Sequence, residues 1–498
     1  MRFPGGQRSC FFVPSVDKRR GIFVLERLVR GATRSLPIIL HRNIQRNDVL
    51  GTSRFDRRSK GSESNLHETT PHLPLIVPRS EHRISRADIS ENALKVLYRL
   101  KDGGYQAYLV GGGVRDLLLG REPKDFDVAT DATPEQVRKV FRNCRLIGRR
   151  FRLAHVHFGR EIVEVATFRG GGHEDATGER HVQNGLIVRD NLYGTREEDA
   201  LRRDFSVNGL YYNIADFSVI DYAGGLEDLW AGRLRLIGED PEQRYREDPV
   251  RMLRAVRFAC KLGFDIDPSC ERPLFALGHL LRDVPSARLF EEVLKLLQTG
   301  LGLCAFEKLR HYRLFAQLFP ATDEGFEGED GGLSIGFVSR GLENTDRRVR
   351  EEKPVTPAFL FAVLLWEPVR RRFAQLLAED MAPNEAMLHA AGDALVRQQP
   401  LVAIPKRFAL PIREIWSLQP RLERREGKRP YRLSAHPRFR AAYDFLLLRA
   451  EAGEVDPELA DWWTRFQAAN DQVRAEMTGK TAKGRRRRPV TGKEMAGT

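Results

Sequence analysis

The chain reads as an α/β domain followed by an all-α body, with a polar, basic segment at each end. Three observations predict this. Between Ile84 and Tyr212, short runs with strand periodicity alternate with runs of helical periodicity. Beyond Pro268 the strand signal fades and helical periodicity takes over. The 498 residues also exceed what one core organises, so roughly two to four domains are expected.

Taken in order, residues 1–78 carry arginines throughout and, at 51–80, much Ser, Thr and His without periodicity. A disordered extension is expected there. Ser90 is placed to cap a helix over Glu91–Leu100, which Gly103–Gly104 ends. The apolar run Ala107–Val110 then meets Gly111, Gly112 and Gly113. A helix-like piece and a strand with Asp125 and Asp127 come next. Strand alternation puts both carboxylates on one face and Phe126 and Val128 on the other. Two close carboxylates repel unless a cation lies between them. Hard oxygen donors favour Mg²⁺ or Mn²⁺. A glycine turn beside them lets backbone amides approach phosphate oxygens. The pattern therefore points to metal-assisted phosphoryl or nucleotidyl transfer. A dinucleotide-binding turn would need a third glycine where Asp116 stands, and no Gly-Lys-Ser/Thr of a P-loop follows.

Thr133-Pro134-Glu135-Gln136 predicts a capping box and a new helix. Strands are expected over Arg145–Phe158 and Glu161–Phe168. Glu164 would share a face with Ile162 and Ala166, either as an edge residue in solvent or as an acid near the two aspartates. Residues 170–194 read as a loop. In the following helix-like stretch, Asp204 and Asn208 would share a face beside Arg202 and Arg203. Residues 220–238 read as a connector with a short hairpin. A helix over Arg244–Gly263, capped at Asp248–Pro249, would carry Arg251, Arg254 and Arg257 on one side. Helices are expected over 287–298, 304–314, 358–366 and 439–451, with a loop at 321–355. Trp366, Trp416, Trp462 and Trp463 are expected in the core.

Net charge is +14, so an anionic partner is expected, nucleic acid first. The end of the chain, with Arg485, Arg486, Arg487 and Arg488, suits sequence-independent phosphate contacts. No apolar run approaches the roughly 20 residues of a membrane helix. The five cysteines show no C-x-x-C pair, so neither a disulfide framework nor a zinc site is expected, and a reducing cytoplasm is the default.

GGGVRDLLLG followed by DFDVAT resembles the active-site motif of the class II nucleotidyltransferases, which include CCA-adding tRNA enzymes and bacterial poly(A) polymerases. The resemblance covers about residues 80–465. It implies an α/β nucleotidyltransferase (polymerase-β-like) head followed by an all-α neck and body. The corresponding bounds are 79–220 for the catalytic head, 221–300 for a neck binding nucleotide and RNA, 301–470 for an RNA-binding body and 471–498 for a disordered basic tail.

It further implies that Asp125 and Asp127 hold two Mg²⁺ ions and that ATP is the substrate. Gly111, Gly112 and Arg115 would position the triphosphate. Arg202-Arg203-Asp204 with Asn208 resembles a motif that closes the site and contacts ribose, so Arg203 and Asn208 are expected at the nucleotide. Asp204 is expected as third acid ahead of Glu164. Asp248 and Arg251 match a family helix that reads the base, with Arg254 and Arg257 beside them.

Leu146–Val156, LIGRRFRLAHV, resembles the signature separating poly(A) polymerases from their CCA-adding relatives. The expected activity is therefore polynucleotide adenylyl transfer from ATP to RNA 3′ ends, promoting RNA processing and decay. A cytoplasmic monomer working beside RNA-decay proteins is implied. A CCA-adding enzyme and a non-catalytic RNA-binding scaffold are the alternatives.

Overall fold

The computed structural model describes residues 73–148, 152–170, 180–183, 186–190, 192–328 and 331–479. Nearly all of the expected N-terminal extension, Arg149, Arg150 and the Arg485–Arg488 run lie outside the described residues.

The head is built on one eight-stranded mixed sheet. Its strands are β1 (Leu75–Val77), β2 (Ala107–Val110), β3 (Asp127–Thr130), β4 (Cys144–Ile147), β5 (Leu153–Phe158), β6 (Glu161–Thr167), β9 (Leu210–Asn213) and β10 (Val219–Asp221). Between β6 and β9 the chain forms a separate hairpin, β7 (Arg180–Gln183) with β8 (Leu186–Asp190), where a loop was expected. The sheet order is β1-β10-β9-β2-β3-β6-β5-β4. All its pairings are antiparallel except β3 with β6, which is parallel.

Helices α1 (Glu91–Asp102) and α3 (Pro134–Val140) pack on one face of the sheet. Both start as the sequence predicts. The Ser90 hydroxyl accepts from the Ala93 amide, and Thr133 and Gln136 form a capping box. Val128, Ala154, Val156, Val163 and Val165 fill the core beneath these helices. The opposite face is covered only in part. Tyr108, Val110, Ala129, Phe168 and Tyr211 form a small cluster there with Ala200 of α4 (Arg196–Arg202).

Several expectations are corrected. The head begins before residue 79, because β1 pairs with β10. Arg145–Phe158 is two strands, not one, turned at Gly148, whose φ is +90°. The helix expected to carry Asp204 and Asn208 together ends at Arg202; Arg203 is extended, and Ser206–Asn208 is a single 3-10 turn. Residues 225–231 form helix α5 (Gly225–Ala231) rather than a hairpin. Arg244–Gly263 is two helices, α6 (Pro241–Glu247) and α7 (Val250–Leu262), because Pro249 cannot continue the backbone ladder.

Residues 331–350 form a long helix where a loop was expected. Its glycines concealed an apolar stripe of Phe337, Val338 and Leu342. Gly341 is required there: a Cβ would lie 2.6 Å from a Val363 methyl.

Beyond α7 follow α8 (Pro268–Leu277), α9 (Ser286–Leu297), α10 (Gly302–His311) and a helical body. Trp366, Trp416, Trp462 and Trp463 are all buried in it. Cys260 of α7 and Cys304 of α10 form a disulfide with Cα atoms 6.0 Å apart, 44 residues apart in sequence. The scattered cysteine spacing gave no sign of this bridge. Among the described residues no helix is long and apolar enough to cross a membrane.

Candidate active site

The glycine turn links β2 to helix α2 (Gly112–Leu118). Gly111 adopts φ +69°, a conformation that disfavours any side chain. A Cβ there would also stand 3.3 Å from Arg203 Nη1. The first amides of α2 have no carbonyl one turn back to pair with, so this turn offers donors to an anion.

Asp127 opens β3, and the parallel register sets it directly beside Glu164 of β6. Side chains paired in register share a face, so Glu164 is not an isolated edge residue. Asp125 precedes the strand, and its carbonyl lies where a side chain on Gly113 would touch it. Asp127 is exposed at the start of the strand, yet protein fills most of the space around its carboxyl. That burial, then the charges of Glu164 and Asp125, push its carboxyl up to about 6, with Arg203 and His155 partly opposing. A carboxylate raised by acidic neighbours in this way suits a hard divalent cation. Among the described residues no cluster of three His, Cys, Asp or Glu side chains is close enough to form a metal cage unaided. Mg²⁺ commonly needs only one or two carboxylates, with phosphates and water completing its shell.

Arg203 is the cation facing this edge. Its Nη2 donates to Asp199 Oδ2 at 3.0 Å and its Nε to the Tyr211 hydroxyl at 3.0 Å, while that hydroxyl donates to Asp199 at 2.5 Å. Burial alone would lower the guanidinium's pKa; Tyr211 and Asp199 more than reverse this and keep it charged.

Arg115 lies elsewhere than expected. It is 1% exposed, beneath the glycine turn. It donates to Asp116 Oδ1 from Nε at 2.8 Å and from Nη2 at 2.7 Å, and to Asn208 Oδ1 from Nη1. Here it braces the turn. Asn208 in turn donates to Asp204 Oδ1 at 3.2 Å.

Asp204 is tied to α7. Its carboxylate accepts from Arg254 Nε at 2.7 Å and from the Phe205 amide at 2.8 Å. Burial would raise its pKa, but Arg254, the amide and Asn208 bring it down to about 2. It is Glu164 that the register sets next to Asp127. Asp204 serves the joint between head and neck. There Arg244 also donates to the carbonyls of Arg202 and Arg203, and Lys261 reaches Asp116.

At the start of α7 the expected base-reading pair is split between other partners. Asp248 accepts both guanidinium nitrogens of Arg288 at 2.8 Å. Arg251 donates to Glu247 at 3.0 Å and to the Arg244 carbonyl. Arg254 and Arg257 both lie against the Phe258 ring, Arg257 at 4.5 Å from its centre. Burial, and then the charge of Arg254, lower the Arg257 pKa. The sequence reading missed Glu247, Arg288, Asp199 and Tyr211. Glu247 stood in plain view before Asp248, and Asp199 stands four residues before Arg203, whereas Arg288 and Tyr211 depend on contacts that spacing does not reveal.

Comparison with known proteins follows this geometry. The sequence matches the family description "Poly A polymerase head domain" over residues 107–235. It matches "Probable RNA and SrmB- binding site of polymerase A" over 263–326 and "Polymerase A arginine-rich C-terminus" over 379–493. The poly(A) polymerase I of Salmonella typhi is 55% identical over 416 residues, 82% of this chain and 89% of that protein. The CCA-adding enzyme of Bacillus subtilis is 38% identical over 226 residues, 45% of this chain and 55% of that protein. Among solved structures, the Bacillus stearothermophilus CCA-adding enzyme in complex with CTP superposes with a TM-score of 0.50 at 25% identity, covering 79% of this chain and 88% of that one. With head, RNA-binding and arginine-rich regions all matched, and a relative 55% identical over 82% of the chain, the chain belongs to the bacterial poly(A) polymerase I family of RNA nucleotidyltransferases.

Proposed function

We propose that this protein adds AMP from ATP to RNA 3′ ends without a template. The observation that carries the reading is the parallel register of Asp127 and Glu164 beside a glycine turn faced by Arg203. The name of the Salmonella relative supports the choice of ATP and RNA.

In this reaction the RNA 3′-oxygen attacks the α-phosphorus of ATP. One O–P bond forms, the bond to the β-phosphate bridge breaks, pyrophosphate departs and the hydroxyl proton passes to solvent. Asp125 and Asp127, with Glu164 as third acid in preference to Asp204, would hold two Mg²⁺ ions, and Mn²⁺ also suits the donors. When bound, such ions neutralise charge developing on the reacting oxygens. Arg203 and the amides that follow Gly111 and Gly112 would grip the triphosphate. Arg115 and Asn208 would keep that turn rigid. The basic end of the chain, including Arg485–Arg488, would add sequence-blind contacts to RNA.

Asp248 and Arg251 would read the adenine edge, with Arg254 and Arg257 beside them. A carboxylate and a guanidinium supply the acceptor and donors that a base edge requires. Because Glu247 and Arg288 already hold the pair, the reading groups are oriented before ATP arrives. Arg251→Ala is expected to lower kcat/KM for ATP by about 10- to 100-fold, the range for losing a charged hydrogen bond. Preference among the four nucleotides should relax with it. Wild-type selectivity in the variant would remove this helix from base recognition.

The direct test uses purified full-length protein, each nucleoside triphosphate separately and an unstructured RNA primer, resolved on a sequencing gel. ATP alone should give long A tracts, with little CTP incorporated. Addition of two C residues and then one A to tRNA lacking its end would replace this reading with CCA addition. No addition with any nucleotide, despite RNA binding, would favour a non-catalytic scaffold.

A further inference from the structure

The sheet face that carries the acidic edge continues beyond it onto the outer strands. The register pairs Asp127 with Glu164, Glu164 with His155, and His155 with Arg145. Side chains paired in this way share a face, so these four form one row across β3, β6, β5 and β4. His155 Nε2 stands 3.4 Å from Glu164 Oε2, which fixes the direction of both. The neighbouring rows on the same face hold His157 opposite Ile162 and Leu153 opposite Ile147.

The two sides of this part of the sheet differ sharply. On one side Cys144, Ala154, Val156, Val163 and Val165 are buried in the core beneath α1 and α3. On the other side Ile147 is 40% and Ile162 is 43% exposed. Arg145 is exposed, and His155 and His157 are half-buried with ring centres 6.3 Å apart. A strand face left to water ordinarily carries polar residues. This one carries two isoleucines and two imidazoles beside a cation, immediately next to the acids.

We infer that this open face of β4, β5 and β6 is the docking surface for the last nucleotides of the RNA 3′ end. The inference rests on the RNA nucleotidyl transfer proposed above and names where its primer lies. Single-stranded RNA presents flat bases, which rest on apolar and aromatic side chains, and phosphates, which need a cation. His155, His157, Ile147 and Ile162 supply the first and Arg145 the second. The row is continuous with Asp127, so a strand lying along it leads its terminal hydroxyl to the acidic edge.

The test is a double variant, Ile147→Ser with Ile162→Ser, and separately Arg145→Glu. All three side chains are exposed, so the fold should tolerate them. KM is measured for a short unstructured RNA and for ATP. Losing contact with one base should raise the RNA KM about tenfold, while the ATP KM stays within about twofold, a split that a general structural defect would not produce. An unchanged RNA KM, or an equal rise in both constants, overturns the inference. That first outcome is also expected if a segment of this chain covers the face, or if a second copy does, in which case sedimentation would show a dimer that the double variant dissociates.

A second readout needs no ATP. RNA carrying 4-thiouridine next to its 3′ end is photocrosslinked to the wild-type protein and the site is mapped by mass spectrometry. Crosslinks within 144–164 support the surface, and crosslinks confined elsewhere refute it. Because this measurement is independent of catalysis, it decides the surface even if the wild-type protein adds no AMP, a result that would defeat the polyadenylation reading instead.

Discussion

Asp127→Ala is expected to reduce nucleotide addition on the order of 1,000-fold or more, because a lost ligand forfeits several kcal/mol of charge stabilisation in the transition state. RNA affinity should stay within about twofold, since the phosphate contacts come from Arg and Lys side chains elsewhere. Asp127→Asn supplies a second check. In the folded protein the Asp127 carboxyl is raised to about 6, by burial first and then by Glu164 and Asp125. A folded value above the unfolded one means that ionising this group costs stability, a cost present above about pH 6 and absent below about pH 4. Without Mg²⁺ at neutral pH, the Asn variant should therefore melt no lower than the wild type. Comparable elongation by the Ala variant at saturating Mg²⁺ would sink the assignment. A clearly lower melting temperature for Asn would show that the carboxylate is structural.

Arg254→Ala should act on stability first. Asp204 accepts a hydrogen bond from Arg254 Nε, forms an ion pair with its Nη2 and is nearly buried. Breaking a fully buried pair on one side leaves an uncompensated charge and costs about 3–5 kcal/mol. Arg254 is about one-third exposed, so screening should reduce the loss to about 2–3 kcal/mol. Urea unfolding of the head–neck transition at pH 7 measures it. Asp204 is held at about 2, below its ordinary value. Its contribution is thus whole above about pH 4 and is lost as the pH falls toward 2. The gap between wild type and variant should close over that range. A loss under about 1 kcal/mol, or a gap that ignores pH, would mean that water compensates the carboxylate.

The sequence made its local chemistry legible. The caps at Ser90 and Thr133 and the glycine turn act within a few residues, and the structure places them where spacing predicts; of the two aspartates expected on one strand, Asp127 opens it and Asp125 lies just before it. Glu164 was legible only as a choice between solvent and site, because strand alternation fixes a side chain's face but not its neighbour. The parallel pairing with β3 supplied that neighbour. Arg115 was expected at the triphosphate through the resemblance alone. Its burial against Asp116 and Asn208 was not legible, because Asn208 lies 93 residues away. The resemblance paired Asp248 with Arg251; in the structure Arg288, from another helix, holds Asp248, and Glu247 of the same motif holds Arg251. The helix over 331–350 was hidden because its glycines suggested a loop, although Gly341 is there for the close approach of Val363.

The parallel junction of β3 with β6 also bears on quality control during folding. Along a strand, successive side chains point to opposite faces, so sliding β6 by one residue against β3 would put Val163 or Val165 beside Asp127 and drive Glu164 into the core. Such a misaligned molecule would keep nearly all of its helix and strand content, and spectroscopy of secondary structure would not notice it. It would, however, have lost its acidic edge. Correct alignment and competence for chemistry are therefore one event in this chain, and specific activity per folded molecule serves as a direct gauge of strand alignment.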